Sequence, residues 1–370
     1  MAMASKSRQW PDLPCATRLV ISVYSFGFDV SRRSDGTVNR CLIKFFDPKC
    51  PSSSKPINGV TSSDVTVDPS RNLWFRLYVP SAAAGSSSDD SELPVLVHFH
   101  GGGFVFCGAN SAPYHLLCRR FAHELPAVVV SINYRLAPEH RVPSQYDDGF
   151  DTLRFIDFNQ HVLPPNADLS RCFISGDSAG GNLAHHVTLR AANHHFERLK
   201  VIGQIAMQPF FGGEERTESE LRLTNAPLVN TERTDWMWRA FLPVGSNRDN
   251  EAANVFGPNS VDISDMKFPA TILFMGGYDP LQDWQRRYRE GLNKYGKEVY
   301  SIEYPNAFHS FYVFPNLPEA SLLIRERAFV LGRKLHHQAI LAQELVYVLH
   351  KSSFETSNGG KATKSDNGKG

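Results

Sequence analysis

From residue 94 onward, short runs of apolar and β-branched residues alternate with longer segments whose apolar positions recur every three to four residues. The runs at 95–99, 127–132, 173–175, 202–207, 271–275 and 299–304 are apolar at consecutive positions rather than at every second one. That is the pattern of strands buried on both faces. The segments at 112–123, 144–158, 180–192 and 280–295 have the length and spacing of helices. Strands and helices in alternation predict an α/β protein, a mostly parallel central sheet flanked by helices.

The flanking regions break this rhythm. Residues 17–30 carry Leu19, Val20, Val23 and Tyr24 on one helical face, Gly27 is read as the end of that helix, and the Asp35-Gly36 pair marks a turn. A helix ahead of the first strands has no place inside a sheet, so 17–60 is expected to form a lid segment over it. Two strands, 65–67 and 73–79, are expected around the turn at 68–72, with a solvated loop at 81–91. The interval 211–268, which holds Trp236, Trp238 and Phe241, interrupts the alternation and reads as a cap insertion above the sheet. The expected layout is a flexible N-terminus at 1–16, a single domain at 17–345 ending in one or two helices across 320–343, and a disordered tail at 346–370.

Composition narrows the function classes. A chain of 370 residues with 42% apolar and 21% charged residues is long enough to bury a sizeable core. Its net charge of +1, with no basic stripe, argues against a nucleic-acid partner. The cysteines (Cys15, Cys41, Cys50, Cys107, Cys118, Cys172) lie far apart without metal-ligand spacing, so reduced thiols, no metal and no cofactor are expected. No secretory leader and no membrane-length apolar run is visible. The cytoplasm, and the nucleus with it, is the expected compartment.

The candidate chemistry begins where the run at 173–175 breaks into Gly176-Asp177-Ser178-Ala179-Gly180. G-x-S-x-G between a strand and a helix holds a serine on a strained turn where a substrate can reach it. A serine nucleophile needs a base, an orienting carboxylate and donors for the developing oxyanion. Gly101-Gly102-Gly103 follows an earlier strand and can aim successive amides at one point; Gly102 and Gly103 are favoured, Gly101 remains open, and Ala179 supplies the amide after the nucleophile. Asp279 ends a later strand and His309 follows the next one. The order Ser178, Asp279, His309 is that of the α/β-hydrolase fold. Asp283 is the rival acid, but its place after Pro280 suits a first helical turn.

These motifs, together with Asn133-Tyr134-Arg135-Leu136-Ala137-Pro138 and the stretch from Arg33 to Arg40, resemble the hormone-sensitive-lipase-like group. More narrowly, the chain is similar to the plant carboxylesterases related to the gibberellin receptor. The resemblance implies a mobile N-terminal lid and cofactor-free hydrolysis of small carboxylic esters through an acyl enzyme. It also implies a rival reading, a hormone receptor that closes its lid over a gibberellin-like ligand and then recruits a protein partner. In that receptor branch an aliphatic residue replaces the triad histidine and an arginine precedes the Asp-Trp pair. This chain keeps His309, and Thr234 precedes Asp235-Trp236. A dehydratase or acyltransferase using the same triad is a further reading.

Other conspicuous residues have structural readings. His98, His185 and His186 are expected to pack or hydrogen-bond locally, His100 to shape the glycine loop, and Asp177 to act as scaffold. Arg135 and Glu139 are expected to form an ion pair, while Asp147 and Asp148 belong to a helix start. Trp236, Trp238, Phe104, Phe106 and Phe211 could line an acyl pocket, with core packing favoured for each one.

Overall fold

The structure, a computed structural model, describes residues 10–81 and 92–332, with side chains up to Glu326 in the last helix. Most of the loop expected at 81–91, the far end of the helical segment at 320–343, the tail at 346–370 and the first nine residues lie outside this range. Strands β1 (Val60–Asp68) and β2 (Leu73–Pro80) form a hairpin, turned by a 3-10 segment at Pro69–Arg71 and by Asn72 at φ 51°. The six apolar runs become β3 (Leu93–Phe99), β4 (Val128–Asn133), β5 (Ala167–Asp177), β6 (Val201–Met207), β7 (Thr271–Tyr278) and β8 (Val299–Phe308). Together they make one eight-stranded sheet in the order β1-β2-β4-β3-β5-β6-β7-β8. Only the pairings of β2 with its neighbours are antiparallel; β4 through β8 run parallel.

The unbroken apolar character of the runs follows from having a core on each side of the sheet. Along β3, Val95, Val97 and Phe99 join one cluster and Leu96 joins the other. Helices α4 (Ser144–Phe158) and α5 (Ala179–Ala192) send Leu153, Leu183 and Val187 into the first cluster. Helices α3 (Ala112–Glu124) and α9 (Pro318–Gly332) send Phe121 and Leu323 into the second. Helix α8 (Gln282–Lys294) follows β7, and its Trp284 and Tyr288 pack on Phe211 and Leu273. From β3 the chain goes one way to β4 and then crosses to β5 on the other side. The crevice beyond the ends of β3 and β5 is therefore a topological switch point, where open α/β sheets bind ligands.

The N-terminal helix α1 (Cys15–Ser31) is longer than the periodicity suggested, starting at Cys15 and passing through Gly27. Gly27 sits inside the helix because Phe46 packs against it; a Cβ there would lie 2.4 Å from the ring. The segment ahead of α1 already meets the 211–268 interval, since the Trp10 indole donates to the Asn225 carbonyl at 2.7 Å. A short helix α2 (Arg40–Ile43) follows, and Arg40 donates to the carbonyls of Val105 and Ala137. The 211–268 interval carries α6 (Glu218–Arg222) and α7 (Thr231–Phe241). A Thr217/Glu220 capping box starts α6, and the Asn230 side chain caps α7 at 2.9 Å.

The ion pair expected between Arg135 and Glu139 does not form. Arg135 binds Asp148 at 2.8 Å, while Glu139 pairs with Arg40 at 2.6 Å. Asp148 is fully buried and Glu139 about half exposed. Leaving the buried carboxylate without a cation costs far more, so the guanidinium goes there.

Candidate active site

The residues singled out for chemistry fall at one edge of the sheet, each just past the end of a strand. Ser178 follows β5, Asp279 follows β7, His309 follows β8, and the glycine loop follows β3. Ser178 is held at φ 53°, ψ −119°, a region a non-glycine residue occupies only when its surroundings impose it. Its own peptide groups supply the constraint. Ser178 N–H donates to Met207 O at 2.9 Å, and Phe210 N–H donates to Ser178 O at 2.8 Å. Gly176 completes the elbow, because a Cβ there would lie 1.9 Å from the Gly180 carbonyl oxygen.

His309 lies between the other two side chains. Its Nε2 is 2.8 Å from Ser178 Oγ and its Nδ1 is 2.8 Å from Asp279 Oδ2. Asp279 is oriented by the Leu281 amide on Oδ1 and by Gln285 Nε2 on Oδ2, each at 2.9 Å. Both Asp279 and His309 are essentially excluded from water. Asp283, the rival acid, turns away: it accepts from Ser219 N–H at 2.8 Å and pairs with Arg286 at 2.9 Å. An imidazole held this way can take a proton from the serine hydroxyl and return it to a leaving group.

The glycine loop divides its labour. Gly102 and Gly103 have φ of 101° and 63°, and both line the cavity over Ser178. At Gly103 a Cβ would fall 2.1 Å from Met237 Sδ, so glycine is required there. Ala179 opens α5, and the first amides of a helix have no partner within it. Gly101, open as a third loop donor on sequence, is committed elsewhere: its N–H donates to Asp177 Oδ1 at 3.0 Å. Asp177 also accepts from the Tyr114 hydroxyl at 2.9 Å and the Tyr312 hydroxyl at 3.2 Å. Burial raises its carboxyl to about 6. Asp177 thus ties the glycine loop, α3 and the segment after His309 together. Tyr114, Tyr312 and Gln285 were not legible as site residues, because no local motif marks a hydroxyl or an amide that reaches a carboxylate from another element.

The four other histidines weighed on sequence pack or bond locally. His100 stacks on Tyr134 with centroids 4.2 Å apart, its Nδ1–H donates to Gly101 O at 2.8 Å, and burial lowers it to about 3. His98 Nδ1 is 3.3 Å from Ser175 Oγ, His185 Nδ1 is 3.0 Å from the Tyr288 hydroxyl, and His186 stacks on Tyr146. Among the described residues no cluster of His, Cys, Asp and Glu could hold a metal ion. All six cysteines are free thiols.

The cavity above Ser178 has a volume of about 300 Å³. Val20, Tyr24 and Phe28 of α1 form one wall, and Phe210, Met237 and Leu281 contribute to the other. No lysine, arginine or carboxylate lines it among the described residues. None of the aromatics first weighed for this role lines it either. Phe104 stacks on Phe241 at 3.7 Å, Phe106 on Phe28 at 4.8 Å and Phe211 on Tyr288 at 4.5 Å. Trp238 packs on Phe210 at 4.2 Å, and the Trp236 indole donates to Arg33 O at 3.0 Å.

Sheet order, elbow and strand-end positions define an α/β hydrolase. Residues 96–313 match the family model described as alpha/beta hydrolase fold, and residues 43–138 match that of the carboxylesterase family. The chain is 43% identical to Gibberellin receptor GID1C of Arabidopsis thaliana over 312 residues, covering 82% of this chain and 90% of the receptor. It is 38% identical to Carboxylesterase 20 of Arabidopsis thaliana, over 73% of this chain and 85% of that one. Among solved structures, the ester-hydrolase EH1AB1 from the metagenome of Lake Arreo superposes with a TM-score of 0.66 at 26% identity, covering 87% of this chain and 98% of that one. The chain belongs to the plant carboxylesterases of the hormone-sensitive-lipase-like group, the family that also contains the gibberellin receptors.

Proposed function

We propose that the protein is a serine carboxylesterase that hydrolyses small carboxylic esters without a cofactor. The observation that carries this reading is the continuous Asp279–His309–Ser178 chain, 2.8 Å at each link, opening on an apolar cavity. His309 Nε2 takes the Ser178 proton as Oγ bonds to the ester carbonyl carbon. Amides of Gly102, Gly103 and Ala179 hold the oxyanion, and Asp279 stabilises the imidazolium. Collapse of the tetrahedral species breaks the bond to the alkoxy oxygen, which leaves as the alcohol with the proton from His309. Water, activated by the same imidazole, then releases the acid from Ser178. Helix α1 acts as a lid and the 211–268 interval as a cap in this reading, and the esterase works in the cytoplasm, with the nucleus as a second compartment. No helix among the described residues is long and apolar enough to cross a membrane.

The test is hydrolysis of nitrophenyl esters from acetate to long-chain acyl groups by the wild type and by Ser178→Ala and His309→Ala. Turnover of short chains, lost by several orders of magnitude in both variants, is the expected result. Unchanged rates would remove the assignment. One observation favours a second reading, a hormone receptor. The outer face of α1 leaves Leu19 and Phe26 about two-thirds exposed, as a surface awaiting a protein partner would. Saturable gibberellin binding without ester turnover would decide for it.

A further inference from the structure

Among neighbouring strands β5 to β8, the residue after the last strand position is Ser178, Gln208, Asp279 and His309 in turn. Three of these form the triad, and Gln208 is the fourth. It is fully buried and sits at φ 42°, left-handed backbone that a non-glycine residue keeps only under constraint. Its main chain is fixed by N–H donation to Phe274 O at 2.8 Å, in a segment whose neighbours Met207 and Phe210 bind the peptide groups of Ser178.

The side chain points toward the histidine. Gln208 Nε2 donates to Phe308 O at 3.2 Å, and Ser310 N–H donates to Gln208 Oε1 at 2.8 Å. One carboxamide therefore holds the residues on both sides of His309, matching a donor to a carbonyl and an acceptor to an amide. Ser310 itself is left-handed at φ 64°, so the loop that carries the imidazole needs such a hold. The niche fits closely: a Cβ at Gly276 would lie 2.5 Å from Gln208 Nε2 and 2.7 Å from the Ala307 carbonyl oxygen.

We propose that Gln208 is a positioning residue for His309, a bridge that transmits the placement of the Ser178 elbow to the histidine loop and so sets the Nε2–Oγ contact. No chemistry passes through the amide. Its work is geometric, and a displacement of about 1 Å at a proton-transfer contact costs up to about a hundredfold in rate. The inference rests on that part of the reading above which makes Ser178 the nucleophile and His309 its base.

The test reads the Ser178–His309 pair directly, through the rate of phosphonylation of Ser178 by a nitrophenyl alkylphosphonate. The labelled serine is counted by mass spectrometry, so each rate is per folded site, and it is measured across pH. Gln208→Ala should lower the per-site rate about tenfold or more. Gln208→Glu keeps the acceptor for Ser310 but, once ionised, sets an oxygen against the Phe308 carbonyl in place of the donor. Its per-site rate should stay near that of the wild type while the carboxyl is protonated and donates to Phe308, and fall about tenfold as it ionises, a pH dependence the wild type lacks. The other titratable groups facing His309 are Asp279 beyond β7, Asp177 at the end of β5 and Tyr312 on its own loop, and none is altered in these variants. Should Gln208→Ala fail to fold, Gln208→Glu still decides. Wild-type per-site rates and a wild-type pH profile in the folded variants would overturn the proposal. A wild type that is phosphonylated yet hydrolyses no ester would instead remove the esterase reading and leave this one standing. A wild type that resists phosphonylation overturns both.

Discussion

Replacing Asp279 by Asn, with Asp283→Asn alongside, separates the two candidate acids and tests the electrostatic role of the buried carboxylate. Asp279 Oδ2 lies 2.8 Å from His309 Nδ1 in a site closed to water. Taking about 4 Å between charge centres and an effective dielectric constant of about 20, the carboxylate would stabilise the imidazolium of the proposed transition state by about 4 kcal/mol. At about 1.4 kcal/mol per decade that is about a thousandfold in kcat. The amide has a further problem. Oδ1 accepts from the Leu281 N–H, and Oδ2 accepts from both Gln285 Nε2 and His309 Nδ1. Either orientation of the asparagine thus sets its NH2 against another donor. Asp283 is bonded to Ser219 and Arg286 instead, so Asp283→Asn should keep kcat within about threefold. The assay is steady-state hydrolysis of nitrophenyl butyrate, with kcat and KM reported separately and folding checked by circular dichroism. An Asp279→Asn enzyme that keeps more than about a tenth of wild-type kcat would refute the electrostatic argument. A large loss in Asp283→Asn with little in Asp279→Asn would move the acid to the other residue.

Three further outcomes are expected. Gly103→Ala should lose about a hundredfold in kcat with little change in KM, since its Cβ meets Met237 and its φ of 63° disfavours a side chain; steady-state kinetics check it. Burial raises the folded-state carboxyl of Asp177 to about 6, above its unfolded value, so the folded state binds the extra proton and wild-type stability falls as pH rises from about 4 to about 6. Asp177→Asn removes that titration, and its melting temperature should gain on the wild type between pH 4.5 and 7.5; a constant difference would refute the assignment. Asp29 of α1 accepts from one edge of the Arg233 guanidinium, from Nε at 2.8 Å and Nη2 at 2.6 Å. The aspartate is 40% exposed, so the pair contributes about 1 kcal/mol after screening. Asp29→Ala should raise KM for nitrophenyl butyrate about fivefold at nearly constant kcat, with faster proteolysis in α1.

The local elements were legible because their causes are local. Consecutive β-branched residues mark strands buried on both faces, and α4 spans the residues its spacing indicates, Ser144–Phe158. The order Ser178, Asp279, His309 was legible for a related reason: each residue follows an apolar run that must be a strand, and the chemistry of an open α/β sheet gathers at strand ends. Glycine spacing marked the elbow, because only glycine lets strand and helix approach that closely.

Beyond these three residues, contacts between distant segments were not legible. Which partner a polar group takes depends on sheet register and helix docking. Arg135 chooses Asp148 over Glu139 because burial makes that carboxylate the costlier one to leave alone. The Gly101 amide goes to Asp177 rather than to the oxyanion position because β3 and β5 are neighbours, pairing Phe99 with Gly176. Gly27 continues α1 instead of ending it because Phe46 folds back onto the helix. Gln208 belongs to no motif, and its meaning appears only when β6 lies beside β7 and next to the elbow. Backbone pattern and strand-end chemistry are properties of neighbouring residues, so the sequence carries them openly. Partner choice is a competition among buried groups, and it is settled only when the sheet brings them within hydrogen-bonding distance.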